Sequence, residues 1–378
     1  MNKLSVIIVS YKVRFYLEQC IRSVERATEG IDCEIIVVDN HSDDGTVEYL
    51  KTCFDDRITL IESSHNLGFS RANNIAIRQS QSEYVLLLNP DTFVGEDSIK
   101  TVLRFMDEHP QAGGAGVMMH NTDGSVASES RRGLPTPWVS LLKMMGLSRR
   151  YYMSDLPWDE PGRIDVMSGA FCMLRRETLD RVGLLDEDFF MYGEDIDLSY
   201  RILKGGYENW YVPARIVHYK GESTVKSSFR YVHVFYQAML IFFRKHYSHL
   251  SLLVTIPINT AIYARASLAL LQMQYDRMRQ SLGFVDKRGA DPKYVFVGSN
   301  EMLEACRKLA RRKGLTAEYV NADTPLKGDA DSCIVYDTSI FSFEQIIDKA
   351  KANGLSSIGT YNPDNEILIT PSEIIAQL

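Results

Sequence analysis

The sequence predicts an α/β protein: a doubly wound, mostly parallel sheet, then a helical segment, then a small C-terminal α/β domain. Three observations carry this reading. Short continuous apolar runs at 4–9, 35–38, 58–61 and 84–88 alternate with stretches of helical spacing, such as Val47, Leu50 and Phe54 on one helix face. Strands buried on both faces and separated by helices build parallel sheets. From Val225 to about Leu282 the pattern becomes that of two long helices, and after a charged linker, Asp286-Lys287-Arg288-Gly289-Ala290-Asp291-Pro292, strand and helix alternate again. At 378 residues the chain is too long for one average domain. The expected units are 1–225, 226–288 and 291–378.

In chain order, the start passes directly into the first strand, its apolar run too short for a signal peptide. The runs at 35–38 and 84–88 lead to carboxylates, Asp39 after Val37-Val38 and Asp91 after Leu87-Leu88-Asn89-Pro90. Open α/β sheets bind ligands at such strand ends. Beyond residue 110, Gly113-Gly114-Ala115-Gly116 and Pro135, Pro137, Pro157 and Pro161 punctuate a stretch with Trp138 and Trp158, read as mobile loops on the acceptor side. Residues 165–174 read as a strand, with a helix from Glu177 to Val182. Residues 250–271 are long enough to span a bilayer. Pro257, Asn259 and Arg265 oppose that, since a charge near mid-bilayer costs at least about 2.5 kcal/mol, so an interfacial or packed helix pair is expected. In the last unit, strands are expected at 294–297, 317–320, 332–336 and 355–360 and helices at 300–313 and 342–353. Val297-Gly298-Ser299-Asn300 reads as an ordinary strand-to-helix turn, a phosphate site there resting on a single glycine.

Composition narrows the function classes. With 45% hydrophobic and 24% charged residues the chain is globular, and a formal net charge of −7 argues against a nucleic-acid binder. The charge is uneven. Lys226, Arg230, Arg244, Lys245, Arg265, Arg277, Arg279, Lys287 and Arg288 face only Asp276 and Asp286, a local +7 that leaves −14 for the rest. Such a segment suits either an anionic membrane surface or an acidic catalytic domain on which it docks. Cys20, Cys33, Cys53, Cys172, Cys306 and Cys333 have no metal-site spacing and read as reduced, mostly buried thiols of a cytosolic protein.

Two stretches carry chemistry that a core does not need. Phe189-Phe190-Met191-Tyr192-Gly193-Glu194-Asp195 places acids at a helix start behind an aromatic run, and Leu88-Asn89-Pro90-Asp91 places a carboxylate beyond a buried strand. Helix-dipole preference explains an acid there at only about 0.3–1 kcal/mol. Together they suggest one carboxylate holding a metal-bound diphosphate and another taking a proton from a hydroxyl. The aromatics suit a sugar-binding wall or a core.

Val9-Ser10-Tyr11, Val37-Val38-Asp39-Asn40, Asn66-Leu67-Gly68-Phe69, Leu88-Asn89-Pro90-Asp91, Gly169-Ala170, Glu194-Asp195 and His218-Tyr219-Lys220-Gly221-Glu222-Ser223 occur in this order. Over roughly 3–225 the chain thereby resembles the bacterial family 2 glycosyltransferases, rhamnosyltransferase-like branch. The resemblance implies a GT-A fold and inverting transfer from a nucleotide diphosphate sugar, dTDP-rhamnose or a UDP-sugar. The acceptor would be a hydroxyl of a saccharide or lipid-linked saccharide, in cell-surface polysaccharide synthesis at the cytoplasmic side of the membrane. It implies Asp195 as base with Glu194 beside it. It implies nucleotide contacts from Ser10, Tyr11, Asp39, Asn66, Gly68, Asn73, Asn74, Asn89 and Asp91, and Mg2+ or Mn2+ held by Asp91 and His218. Asp39 suits acceptance of a pyrimidine imide N–H, or an N-cap for the helix after Ser42-Asp43-Asp44-Gly45. The amide Asn89 stands where the family often has a first aspartate. Peripheral membrane association and a homo-oligomer remain open. Two rivals stand beside this: a dinucleotide oxidoreductase, opposed by the lack of GxGxxG after the first strand, and a non-catalytic nucleotide-sugar sensor or scaffold.

Overall fold

A computed structural model describes residues 2–219, 229–248, 252–281, 292–322, 329, 331–354 and 356–376. The chain runs β1 (Leu4–Ser10), α1 (Arg14–Ala27), β2 (Cys33–Asp39), α2 (Thr46–Cys53), β3 (Thr59–Glu62), α3 (Phe69–Gln79), β4 (Tyr84–Leu88), β5 (Thr92–Val94), α4 (Ser98–Glu108) and β6 (Ala112–His120). It continues through α5 (Pro137–Met144), β7 (Gly162–Ile164), β8 (Phe171–Arg175), α6 (Arg176–Val182), α7 (Glu194–Lys204), β9 (Glu208–His218), α8 (Phe229–Tyr247) and α9 (Leu252–Ser281). The last unit is β10 (Lys293–Gly298), α10 (Asn300–Lys313), β11 (Ala317–Asn321), β12 (Ser332–Asp337), α11 (Phe343–Asn353), β13 (Ser357–Asn362), β14 (Ile367–Ile369) and β15 (Ile374–Ile375).

The expected α/β sheet is present. Its order is β3-β2-β1-β4-β8-β6-β9-β5, with β7 paired to β9. β3, β2, β1 and β4 are mutually parallel, and antiparallel partners enter with β8. β1 and β4 are buried along their whole length, which is why they read as unbroken apolar runs rather than as alternating patterns. The register pairs Ser10 with Asp39 and Ile8 with Leu88, so the chain leaves β1, β2 and β4 at one rim of the sheet.

Two expectations need correction here, and one alternative falls. Gly113, Gly114 and Gly116 do not form a mobile loop. They lie in β6, where a methyl on Gly113 would meet Ile202 Cγ2 at 2.8 Å and one on Gly114 would meet Met167 at 2.7 Å. These glycines allow close packing under α7, and glycine in a strand has this second meaning. The strand expected at 165–174 is split, with β7 ending at Ile164, a turn at 168–170, and β8 starting at Phe171. Asp39 caps no helix, because α2 starts from Gly45 in the left-handed region.

The two long helices are present as α8 and α9. Among the described residues no helix is long and apolar enough to cross a membrane. α8 packs on the first unit, with Phe242 and Ala238 buried against Phe189, His246 Nε2 at 2.6 Å from Asp197 and Lys245 paired with Asp186 and Asp188. The docked alternative therefore accounts for Lys245. The linker at 286–292, apart from Pro292, lies outside the described residues. The last unit forms a second sheet, β11-β10-β12-β13-β14-β15, with a terminal antiparallel pair not foreseen. At the start of α10, Ser299 Oγ caps Met302 N–H, while Ser299 N–H and Oγ–H both donate to Asp337 Oδ2. A carboxylate already occupies that helix start, consistent with an ordinary turn.

Candidate active site

The rim at the ends of β1, β2 and β4 carries buried polar atoms that the fold itself does not satisfy. Asp39 is 2% exposed. Its Oδ2 accepts the Ser42 N–H at 2.9 Å, while Oδ1 is buried without a partner. Ser10 Oγ on β1 and Ser70 Oγ and Asn73 Oδ1 on α3 are in the same condition. An unmet buried polar atom costs about 1–3 kcal/mol, and a ligand with donors facing these acceptors would recover it. Ser70 carries no sequence signal beyond its place after Phe69. Tyr11 is half-buried beyond β1.

Asn66 and Asn40 build the next loop. Asn66 Oδ1 accepts from Asn40 Nδ2 at 3.1 Å and from Gly68 N–H at 3.0 Å, and Asn40 Oδ1 accepts Leu67 N–H at 2.8 Å. Asn66 is thus a loop former, and Asn74 differs from expectation similarly. Its amide donates to Leu185 O and Glu187, and its oxygen takes Leu185 N–H, so it anchors the 185–187 loop. Asn73 donates to Phe69 O and keeps its oxygen unmet. Gly68, at φ +80°, is required: a methyl there would lie 2.5 Å from Phe190 O, and Phe69 N–H donates to that same oxygen. This ties the Asn66 loop to the aromatic segment before α7. Within that segment Phe189 is core against α8 rather than a sugar-facing wall, whereas Phe190 is 38% exposed. Tyr192 takes φ +69°, a costly conformation for a bulky residue.

β5 and β9 bring the diphosphate-end candidates together. Thr92 pairs with His218, placing Asp91 Oδ1 3.2 Å from His218 Nε2, with Asn89 Nδ2 3.4 Å from the same nitrogen. Asp91 is 2% exposed. Among the described residues no group of three metal-ligating side chains occurs. A Mg2+ or Mn2+ ion shared with a diphosphate needs only one or two protein ligands, so the pair fits such an ion. Gly221 and Ser223, which accompany His218 in the sequence, lie outside the described residues.

Asp195 opens α7. Its Oδ2 accepts from Arg132 Nη2 at 2.5 Å and from Gly169 N–H at 3.3 Å. Burial works against the Arg132 charge, but Asp195 together with Tyr151 more than offsets it and raises its pKa. No local pattern in the sequence marks Arg132: it lies 63 positions from its partner, ahead of Pro135 in the irregular stretch. Beside them Glu194 is 6% exposed with Oε2 unmet. Burial first, and then the neighbouring Asp195 charge, push its carboxyl up to about 8, so it is largely protonated at neutral pH. The turn 168–170 joins the two ends of the site, since Ala170 O accepts Asn89 N–H at 3.0 Å while Gly169 N–H faces Asp195.

Residues 5–183 match the family described as Glycosyl transferase family 2. An N-acetylglucosaminyl-diphospho-decaprenol L-rhamnosyltransferase of Mycobacterium tuberculosis is 28% identical over 274 residues, 65% of this chain and 85% of that protein. The low-salt glycan biosynthesis hexosyltransferase Agl10 of Haloferax volcanii is 32% identical over 207 residues, covering 53% and 62% of the two chains. Among solved structures, a mannosyltransferase of Pyrobaculum calidifontis in complex with GDP-Man and Mn2+ aligns at TM-score 0.46 and 18% identity, over 74% of this chain and 81% of that one. A structure of GalNAc-T7 with UDP, GalNAc and Mn2+ aligns at TM-score 0.47 and 19% identity over 62% of this chain, which spans under half of that protein, 47%.

Proposed function

Since the chain belongs to glycosyl transferase family 2, we propose that it is an inverting, metal-using transferase that moves a sugar from a nucleotide diphosphate sugar, dTDP-rhamnose or a UDP-sugar, to a hydroxyl of a lipid-linked saccharide. The observation that carries this reading is the 168–170 turn, hydrogen-bonded to Asn89 of the diphosphate end and to Asp195 of the acceptor end. A single rigid turn spaces the two halves of a displacement reaction.

Asp39 Oδ1 accepts an imide N–H of the base, and Ser10 and Asn73 line the nucleotide. Asp91 and His218 would hold a Mg2+ or Mn2+ ion, which would neutralise charge gathering on the leaving diphosphate. Asp195 takes the acceptor proton. The acceptor oxygen bonds to the anomeric carbon from the face opposite the diphosphate, the bond from that carbon to the diphosphate breaks, and the configuration inverts. Protonated Glu194 leaves Asp195 as the single charged carboxylate of the pair, in contact with Arg132.

Work on a lipid-linked acceptor calls for access to a bilayer. On α9, Ile256, Tyr263, Leu268, Leu271 and Tyr275 are each more than half exposed. At 3.6 residues per turn they fall within an arc of roughly 140°. With exposed Trp138 and Leu141 on α5, which contacts α9, this forms an apolar face suited to lying in the membrane interface. The units 1–225, 226–288 and 291–378 then serve catalysis, docking and support.

The test is a transfer assay on the full chain with dTDP-rhamnose and UDP-sugars, Mn2+, and a polyprenyl-diphosphate N-acetylglucosamine acceptor. Formation of a glycosylated lipid with inverted anomeric configuration is expected. A protein that binds a nucleotide sugar yet transfers none of it across an acceptor panel would instead be a sensor or scaffold.

A further inference from the structure

The Asp91–His218 pair stands at one edge of the large sheet. β5 is its terminal strand, three residues long, packed under α1 and, among the described residues, paired only with β9, and short edge strands depend on such cover for local stability. The outer side of this edge is covered by α11 of the last unit. Phe93 of β5 packs on Phe343 with ring centroids 5.1 Å apart. Phe93, Val217 and Tyr219 share one buried cluster with Ile334, Phe343, Ile346 and Ile347.

Charge ties both strands to the same helix. Arg215 of β9, three residues before His218, pairs with Glu344 and Asp348 on α11. Glu96, five residues beyond Asp91, accepts the N–H groups of Phe343 at 2.8 Å and Glu344 at 2.7 Å. It thus supplies the negative charge that a helix start favours, beside the capping box of Ser342 and Gln345. Between them, Gly95 lies so close to α11 that a methyl there would overlap the Glu344 carboxylate. Each strand that leads to a candidate ligand is therefore fixed, a few residues away from that ligand, by contacts to one helix.

We infer that residues 292–376 act as a clamp on the β5–β9 pair, with Arg215 and Glu96 as positioning residues for Asp91 and His218. The inference rests on the metal-using reading above for its binding arm only. Neither residue touches the donor. Each sets the separation of the two ligands by fixing the strands that carry them, an indirect effect expected at the lower end of the roughly 10–100-fold seen for groups bonded directly to a metal ligand.

The full chain is compared with Arg215→Met, Arg215→Lys, Glu96→Gln and Asp91→Ala by hydrogen exchange and by Mn2+ binding in the presence of UDP, followed by electron paramagnetic resonance. In Arg215→Met and Glu96→Gln, amides at 92–94 and 216–218 should exchange at least about tenfold faster while those at 84–88 keep their protection. Mn2+ binding should weaken by about tenfold, Arg215→Lys should restore most of it, and donor KM should rise more than kcat falls. Unchanged exchange at 92–94 in both variants overturns the clamp. So does unchanged Mn2+ binding in both variants where Asp91→Ala abolishes it. If Asp91→Ala leaves Mn2+ binding intact, the metal reading is what fails, and the exchange result alone decides the clamp.

Discussion

At the scale of single residues, the proposed base Asp195 is held by Arg132 and by the Gly169 N–H, so an acceptor hydroxyl would reach it beside that turn. Asp195→Asn should lower transfer by about 10²–10⁴-fold while nucleotide-sugar binding stays nearly unchanged, because the lost group acts on the acceptor proton. Turnover above half the wild-type value would move the base elsewhere. Glu194 gives a pH prediction of definite sign. Its folded carboxyl keeps its proton up to about pH 8, whereas the ordinary glutamate value of 4.5 stands for the unfolded chain. The folded state then holds the extra proton between those limits, and stability falls as pH rises through them. Glu194→Gln removes that slope, so urea midpoints of the variant should exceed the wild type at pH 8 and differ less at pH 5. Asp91→Ala should weaken nucleotide-sugar binding more in Mn2+ than in EDTA, where equal losses would make Asp91 structural.

Elements show what a sequence discloses and what it hides. β1, β2 and β4 are legible because a strand buried on both faces must be apolar throughout, and Asp39 and Asp91 because they follow such strands. β6 is hidden because its glycines, needed for contact with Ile202 and Met167, carry the same letters as a loop. Arg132 is hidden because only the folded chain brings it to Asp195, and Asn74 misleads because its amide is satisfied by the Leu185 loop rather than by a ligand. Gly68 is a local test of the coupling between the Asn66 loop and the aromatic segment. Gly68→Ala must adopt φ +80° and meet Phe190 O, costing on the order of 1–3 kcal/mol. Nucleotide binding by calorimetry should weaken along with the thermal midpoint. For α9, replacing Tyr263, Leu268 and Leu271 with Gln should release the protein from anionic liposomes. Wild-type protein that ignores such liposomes at low salt would show that this face meets protein instead.

Across the whole molecule, the catalytic sheet and the last unit share one core. Tyr16 Oη–H donates to Thr370 O at 3.0 Å, Gln19 Nε2 donates to Thr360 Oγ1 at 2.6 Å, and Phe93 sits among side chains of α11 and β12. Units joined in this way should unfold together. The three tryptophans, Trp138, Trp158 and Trp210, all lie in the catalytic unit, so their fluorescence reports that unit alone. Phe343→Ala should cost about 3–5 kcal/mol and lower the midpoint seen by tryptophan, with one transition in both variant and wild type. A tryptophan midpoint that does not move would mean the units unfold separately.

The seam between Tyr16 and Thr370 also has a consequence for synthesis. Ribosomes release the N-terminal part first, at about 5–20 residues per second, so α1 and β5 emerge many seconds before the segment that covers them. During that interval Tyr16, Phe93 and Val217 are greasy surface, which a chaperone would recognise. A product cut short by a premature stop would keep that surface, marking it for disposal before it could consume activated sugar.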